Sequence, residues 1–459
     1  MPPNLALFIT LGFIVFLFRR DFRLTPNTSR ALWIPFIWMF ISGSRNVTEW
    51  LWLLGLPGAG GTLEEGSPTD RLFYMCLIAA GIRVLVKRRI RLAELARNNR
   101  WLAVFLIYCL LAVLWSDFPF VALKRWIKVL GNPVMALVIL TDPRPQEALT
   151  TVFKRCAFIL LPVSVLFIKY FPQWGRGFSV WTGAAFNTGI TTNKNLLGCD
   201  CLILGFFWFW HFLKTRQLPR SKLRRDELLL TGGFLVMTWW LLQKAESQTA
   251  FTALMIGIFM LLFAGSSLIN RRMVGTYVFL GVSALAVLEV FFGIYASILH
   301  ALGRDATLTD RTFLWRDLLT VDINPLLGAG FESFWLGSRL AGIWEKWTFH
   351  PNQAHNGYLE TYLNLGLIGL CLLICVLIAT YHKSSKALLT DFEFARFRLA
   401  FLAATIAYNW TEAAFKTTHF VFFVFYLVAI DYKRRQSPVR ARPRGTGSTA
   451  ESRPQLAHA

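Results

Sequence analysis

Charged side chains are scarce in this sequence. They make up 16% of its 459 residues, against 55% hydrophobic and 15% aromatic, and the mean hydropathy is +0.47. So little charge excludes an ordinary soluble chain and leaves a polytopic membrane composition. Familiar chemical motifs are missing too. There is no phosphate-binding glycine loop, dinucleotide fingerprint, HExxH or CxxC, so nucleotide-driven and metalloprotease chemistry have no support. The seven cysteines, Cys76, Cys109, Cys156, Cys199, Cys201, Cys371 and Cys375, lie in or beside apolar runs and give neither a disulfide framework nor a metal cluster; they read as small packing residues. No repeat of fixed period and no matched pair of interrupted spans is present, which weakens a repeat-based transporter.

What is abundant is apolar sequence. Runs of roughly 15 to 25 residues recur along the chain, each about long enough to cross a ~30 Å hydrocarbon core as a helix. Thirteen can be drawn, at 4–18, 31–54, 71–86, 101–115, 126–140, 152–170, 196–213, 228–243, 250–264, 274–299, 357–381, 397–410 and 417–431. Several are short, so the expected number of transmembrane helices is about 11–13. The segments 19–30, 83–100, 141–155, 214–225, 271–272, 382–398 and 433–453 hold 33 of the 48 basic residues, and the positive-inside rule puts them in the cytoplasm. The formal charge of +22 therefore belongs to topology and not to nucleic-acid binding. The same rule sets the N-terminus outside. Segment 5–18 has neither a charged n-region nor a small-residue cleavage site and is expected to be an uncleaved anchor. Residues 1–432 form the membrane domain, and the basic, Pro-, Gly- and Ser-rich stretch 433–459 is expected to be a disordered cytoplasmic tail.

Cations that lie on the outer side break the rule and need a reason. The longest outer segment is 300–356. Within it TDRTFLWRDLLT predicts a short helix, with Thr309 or Asp310 as N-cap and Arg311 and Trp315 on one face. Pro325, Gly328 and Gly330 then stop the helix, and Trp335, Trp344 and Trp347 suit a headgroup layer. The loop leads through HPNQAHNGYLETYLNLGLIGL into a span. His355 there is either an interfacial histidine in water or a general base or charge partner, and Asn356 starts a helix or orients His355 or a substrate hydroxyl. His350 and His355 have no carboxylate nearby at ligand spacing, so no metal is expected. Arg311 and Arg316 suit phosphate oxygens, whether of a substrate or of lipid headgroups. Arg45, in ISGSRNVTEW within the span that begins at Ala31, either pairs with Glu49 or faces a cavity. Lys194 in TTNKNLLG and Lys244 in QKAESQTAF either snorkel or favour an anion. Their convergence on one face makes a site for a lipid-anchored phosphorylated substrate. With no ATP site, the driving force must reside in that substrate's own activated bond.

DRTFLWRDLLTVDINPLLGAGFESFW followed by AHNGYLETYLNLGLIGL resembles the O-antigen ligase and polymerase superfamily, whose pattern is an outer-loop Arg, a Pro-x-x-Gly-x-Gly turn, and His-Asn before a span ending in Gly. TTNKNLLG is similar to the same family's Lys-Asn-x-x-Gly element. The resemblance covers about residues 100–430, with a signature region at about 185–430 and its most specific part at 309–370. It implies an all-α, GT-C-like polytopic fold with one large periplasmic loop carrying short helices. It also implies an inverting glycosyltransferase that acts on undecaprenyl-pyrophosphate-linked glycans at the periplasmic face of the bacterial inner membrane, without a nucleotide sugar, metal or other cofactor. His355 is implied as the essential histidine and Arg311 as a pyrophosphate-binding arginine, and Lys194 matches a basic position of the family; Arg316, Lys194, Arg45, Lys244 and Asn356 are expected as substrate contacts from their own placement. The implied partners are the lipid-linked glycan, membrane lipids and other polysaccharide-assembly proteins. Ligase-like members carry an arginine in a Ser-x-Arg-Gly-type turn. Here that turn is ESQTAF, with Gln248 and Thr249 instead. Together with WSDFPFVALKRWIKVLGN and SGSRNVTEWL it looks closer to exopolysaccharide polymerases of the ExoQ type, which places polymerase ahead of ligase. A lipid-linked glycan transporter is the alternative of another class.

Overall fold

A computed structural model describes residues 1–62, 65–178, 183–278, 280–281 and 311–432. Most of the expected span at 274–299, the cap candidates Thr309 and Asp310, and the basic tail lie outside them. The described chain is all-α apart from one antiparallel hairpin, β1 (Arg176–Phe178) with β2 (Ala185–Asn187), which hydropathy did not suggest.

The first half comprises α1 (Pro3–Leu24), α2 (Trp33–Ser42), α3 (Val47–Leu53), α4 (Pro68–Lys87), α5 (Leu92–Asn98), α6 (Arg100–Leu111), α7 (Pro119–Val129), α8 (Gly131–Leu140), α9 (Pro145–Tyr170) and α10 (Pro172–Gly175). The second half adds α11 (Lys194–Arg216), α12 (Lys222–Ala245), α13 (Gln248–Gly265), α14 (Arg311–Leu319), α15 (Gly337–Lys346), α16 (Gly357–Ala387), α17 (Phe392–Thr411) and α18 (Phe420–Ala429). Among the described residues five helices, α9, α11, α12, α13 and α16, are long and apolar enough to cross a membrane, and three shorter apolar helices lie at Arg30–Ser42, Arg100–Leu111 and Phe420–Ala429. The chain is a polytopic, all-α membrane protein.

Two expected spans are broken. The one at 31–54 stops at Ser42 and restarts at Val47, where Asn46 and Glu49 form a capping box that satisfies orphan donors at the new helix start. The one at 126–140 divides at Leu130 between α7 and α8.

Helices α9 and α11 are central, with 78% of their apolar windows buried, whereas α12 and α13, at 33%, face outward. Every residue of α18 is buried, as expected of a helix that is apolar on all sides. At one end of the bundle Glu227 accepts from Arg20 at 2.8 Å, lies 2.9 Å from His211 Nε2 and also pairs with Lys154, which ties α1, α9, α11 and α12 together.

The glycines of NPLLGAG have a structural task at the other end. Helix α16 kinks at Gly366, whose φ of +64° is left-handed. Leu367 N donates to Pro325 O at 2.9 Å, and Ile368 N to Leu326 O at 3.3 Å, so the loop supplies acceptors that the broken helix has lost. Ala329 N returns a bond to Leu363 O at 3.0 Å. Backbone approaches backbone so closely that a Cβ on Gly328 would lie 2.5 Å from Asn364 C. The loop is thus inserted into the kink. Its tryptophans do not serve as headgroup anchors alone. Trp315 donates to Ala354 O at 2.7 Å, Trp335 to Glu360 at 2.8 Å, Trp344 to Pro351 O at 2.9 Å and Trp347 to Asp317 at 3.1 Å. Around them Leu314, Leu318, Phe334, Leu340 and Ile343 form a separate small core.

Candidate active site

The N-terminal ends of α11, α13 and α16 and the C-terminal end of α17 meet at one end of the bundle, and α14 lies against them. The group that joins them is Glu412, the residue just after α17. Its Oε1 accepts from Arg311 Nη2 at 3.2 Å and from Asn195 Nδ2 at 3.0 Å, while its Oε2 lies 3.4 Å from His355 Nδ1. Arg311 also donates through Nη1 to the carbonyl of Thr411. Thr249 reaches the same place, its hydroxyl 2.7 Å from that of Thr411.

Two features hold His355 in position. Asn356 caps α16, its Oδ1 accepting from Tyr358 N and Leu359 N, each at 3.0 Å. Glu360 accepts from Ala354 N at 2.8 Å and, through its other oxygen, from Trp335, so the residue before His355 is fixed from inside the bundle. Between these anchors His355 takes φ = +50°, a backbone state that non-glycine residues adopt only when their surroundings enforce it. The His355 side chain is 24% exposed and that of Glu412 only 8%, so the ring is reachable and the carboxylate behind it is not.

His355 Nδ1 has partners of opposite demand. Lys416 Nζ donates to Gln353 Oε1 at 2.7 Å, which turns the amide nitrogen of Gln353 toward Nδ1 at 3.2 Å. When Nδ1 carries a proton it donates to Glu412; when it does not, it accepts from Gln353. The first tautomer leaves Nε2 as a base, with the carboxylate ready to stabilise the imidazolium that results.

Burial opposes ionisation of Glu412, but the hydrogen bond and charge of His355, followed by the guanidinium of Arg311, outweigh it and hold the carboxyl below its ordinary value. A carboxyl whose pKa is lower folded than unfolded contributes stability that is present above the unfolded value, about 4.3 for glutamate, and lost as pH falls through the folded one. Thermal unfolding in detergent is therefore expected to show a stability loss below about pH 4.3 that Glu412→Gln reduces. An unchanged acid limb in the variant contradicts this assignment.

The other sequence-predicted residues separate into near and far. Lys194, the first residue of α11, is exposed beside Asn195 and lines an open cleft with Glu246 and Gln248. Arg316 is exposed, five positions after Arg311 and thus about 140° away around α14, with no hydrogen bond or ion pair among the described residues. Lys244 is exposed, and its carbonyl accepts from Asn187 at 3.1 Å. Arg45 lies in the break between α2 and α3, not inside a helix. Its guanidinium donates to Trp174 O at 2.6 Å, Ile190 O at 3.0 Å and Thr191 O at 3.0 Å.

Sequence reasoning missed Glu412, Asn195, Gln353 and Glu360. A signal existed for the first: a carboxylate just beyond the end of the apolar run 397–410 needs a partner.

Residues 233–374 match the O-antigen ligase family. The chain is also 28% identical over 303 residues to the exopolysaccharide production protein ExoQ of Rhizobium meliloti (strain 1021), a match that covers 63% of this chain and 66% of that protein, just under two thirds of the relative's length. The family match includes α16 as far as Ile374 and the loop that carries Arg311 and His355. With the all-α membrane fold, these similarities support the O-antigen ligase/polymerase family, whose members are glycosyltransferase-like enzymes.

Proposed function

We propose that the protein polymerises polyprenyl-pyrophosphate-linked glycan repeats on the outer face of the cytoplasmic membrane. The observation that carries this reading is the Arg311–Glu412–His355 cluster, which sets a base and a phosphate-binding cation on opposite sides of one buried carboxylate. In the reaction His355 Nε2 takes the proton of a sugar hydroxyl on the acceptor. The hydroxyl oxygen bonds to the anomeric carbon of the donor, and the bond from that carbon to the pyrophosphate oxygen breaks, with inversion. The pyrophosphate leaves with the electron pair, and Arg311, which has spent two of its five N–H groups on Glu412 and Thr411, offers the others to the departing charge. Lys194 supports the same charge from the neighbouring helix start. The three carbonyls bound by Arg45 favour a structural task for it, bracing the segment before α11.

Polymerase is preferred to ligase because Thr249 stands where the ligase-like turn has an arginine, and here a hydroxyl pair with Thr411 fills the place. The likeness to an exopolysaccharide production protein points the same way. The test is reconstitution. Purified protein supplied with synthetic lipid-pyrophosphate repeats should lengthen them without nucleotide and in the presence of EDTA. Arg311→Lys should lower the rate about tenfold or more, because an ammonium cannot reproduce the planar fork. Transfer of intact polymer to a different acceptor, with no lengthening, supports the ligase. Movement of lipid across vesicles with no new glycosidic bond supports the transporter.

A further inference from the structure

A polymerase has to hold two lipid-linked glycans at once, and the cluster around Arg311 accounts for one pyrophosphate. Beside it are two cavities that share Arg125. The first, of about 170 Å³, begins at Lys416, whose ammonium is bound to Gln353 next to His355. Its ionic residues balance, Arg125 and Lys416 against Glu332 and Glu360, and Trp335 and Asn364 complete a wall suited to an uncharged, hydroxyl-rich ring. Tyr426 lines the same cavity, and its buried hydroxyl has no hydrogen-bond partner among the described residues.

The second cavity, of about 280 Å³, is different in charge. Arg71, Lys124 and Lys128 line it with Glu65 and Asp70, and with the shared Arg125 already set against the carboxylates of the first cavity they leave a surplus of one positive charge. Glu65 is shared by Lys124 at 2.5 Å and Arg71 at 3.2 Å, and Asp70 is engaged with the backbone of Thr48 at 2.9 Å. Lys128 forms no ion pair among the described residues; its ammonium lies over the ring of Tyr74 at 4.3 Å. The cavity includes Met75, itself exposed, and Leu72 and Phe120 are exposed beside it on α4 and α7, an apolar surface for a lipid chain.

We propose that these two cavities are the acceptor site: the cationic one binds the pyrophosphate of a second lipid-linked glycan, and the neutral one receives the sugar whose hydroxyl attacks. The surplus cation suits a pyrophosphate, and the shared Arg125 joins the two cavities. This rests on the polymerase reading, since only there does the acceptor carry its own pyrophosphate.

The first measurement is native mass spectrometry of the full-length protein in detergent with undecaprenyl pyrophosphate as probe. Two lipids per chain are expected, one with Lys128→Gln, one with Arg311→Gln and two with Lys128→Arg. A single lipid on the unaltered protein overturns the proposal, as does loss of the second lipid to excess phosphatidylglycerol, which marks a general headgroup site. The second measurement is turnover, with a donor blocked at its non-reducing end. An acceptor repeat on lipid pyrophosphate should be used roughly tenfold or more better than the same repeat as free oligosaccharide. Lys128→Gln should erase that preference and leave the KM of the blocked donor unchanged. An equal fall with both acceptors overturns the acceptor assignment. Two bound lipids with no glycosidic bond formed overturn the polymerase reading, and the acceptor role with it.

Discussion

His355→Ala is expected to slow lengthening of lipid-linked repeats by the purified protein about 10²- to 10⁴-fold and Glu412→Gln about 10²-fold, with the double variant losing less than the product of the two. General-base catalysis by a positioned side chain contributes about 10²- to 10⁴-fold, which sets the scale for the histidine. In the proposed reaction Glu412 acts through His355, favouring the tautomer with Nε2 free and steadying the imidazolium, so once the ring is gone most of its contribution has nothing to act on. The share that survives in the double variant is the part exerted through Arg311, also bound to Glu412. Initial rates with a defined lipid-linked repeat measure all three. Independent, multiplying losses, or a Glu412→Gln protein at the unaltered rate, would show that the histidine and the carboxylate do not work together.

Gly366→Ala is expected to be as damaging, for a reason remote from proton transfer. A Cβ at this position falls 2.2 Å from the carbonyl carbon and oxygen of Leu326, and the neighbour is backbone, which cannot swing aside. A left-handed φ adds roughly 1–2 kcal/mol for any L side chain, and overpacking roughly 1–3 kcal/mol more. The Pro325–Gly330 turn must then leave the kink, which takes away the acceptors of Leu367 and Ile368 and loosens the loop that carries Arg311. Activity should fall to background, with thermal unfolding shifted down by several degrees. Gly342→Ala is the control, because its added methyl meets nothing within 4 Å and α15 gains a better helix former. Equal behaviour of the two variants would mean that the kink does not depend on glycine.

Much of this was legible in the chain. Composition announced the membrane, and the runs at 152–170 and 196–213 became the central pair α9 and α11. Arg311 and His355 stood out because a charge and an imidazole beside the ends of apolar helices need a purpose. Their link did not stand out. Glu412 lies 57 residues from His355 along the chain, and nothing short of the packing of α16 on α17 brings them together. The turn at Gln248 and Thr249, which in sequence is a departure from the ligase pattern, proves to be a wall of the same cluster. Arg45 escaped for the opposite reason: hydropathy averages over the break at 43–46, so a residue in a bend looked like a charge within a span.

The helix α18 carries a consequence for how the protein is made. Ten residues rise only about 15 Å, half the hydrocarbon thickness, and α18 has no face left for lipid. It cannot be handed to the bilayer as a finished segment, as α12 or α13 can. It has to enter a slot that its neighbours have already formed, so its insertion is the closing step of assembly and not one of the early ones. Because α18 also supplies Tyr426 to the cavity below Lys416, a nascent chain holds no complete site until that step is taken.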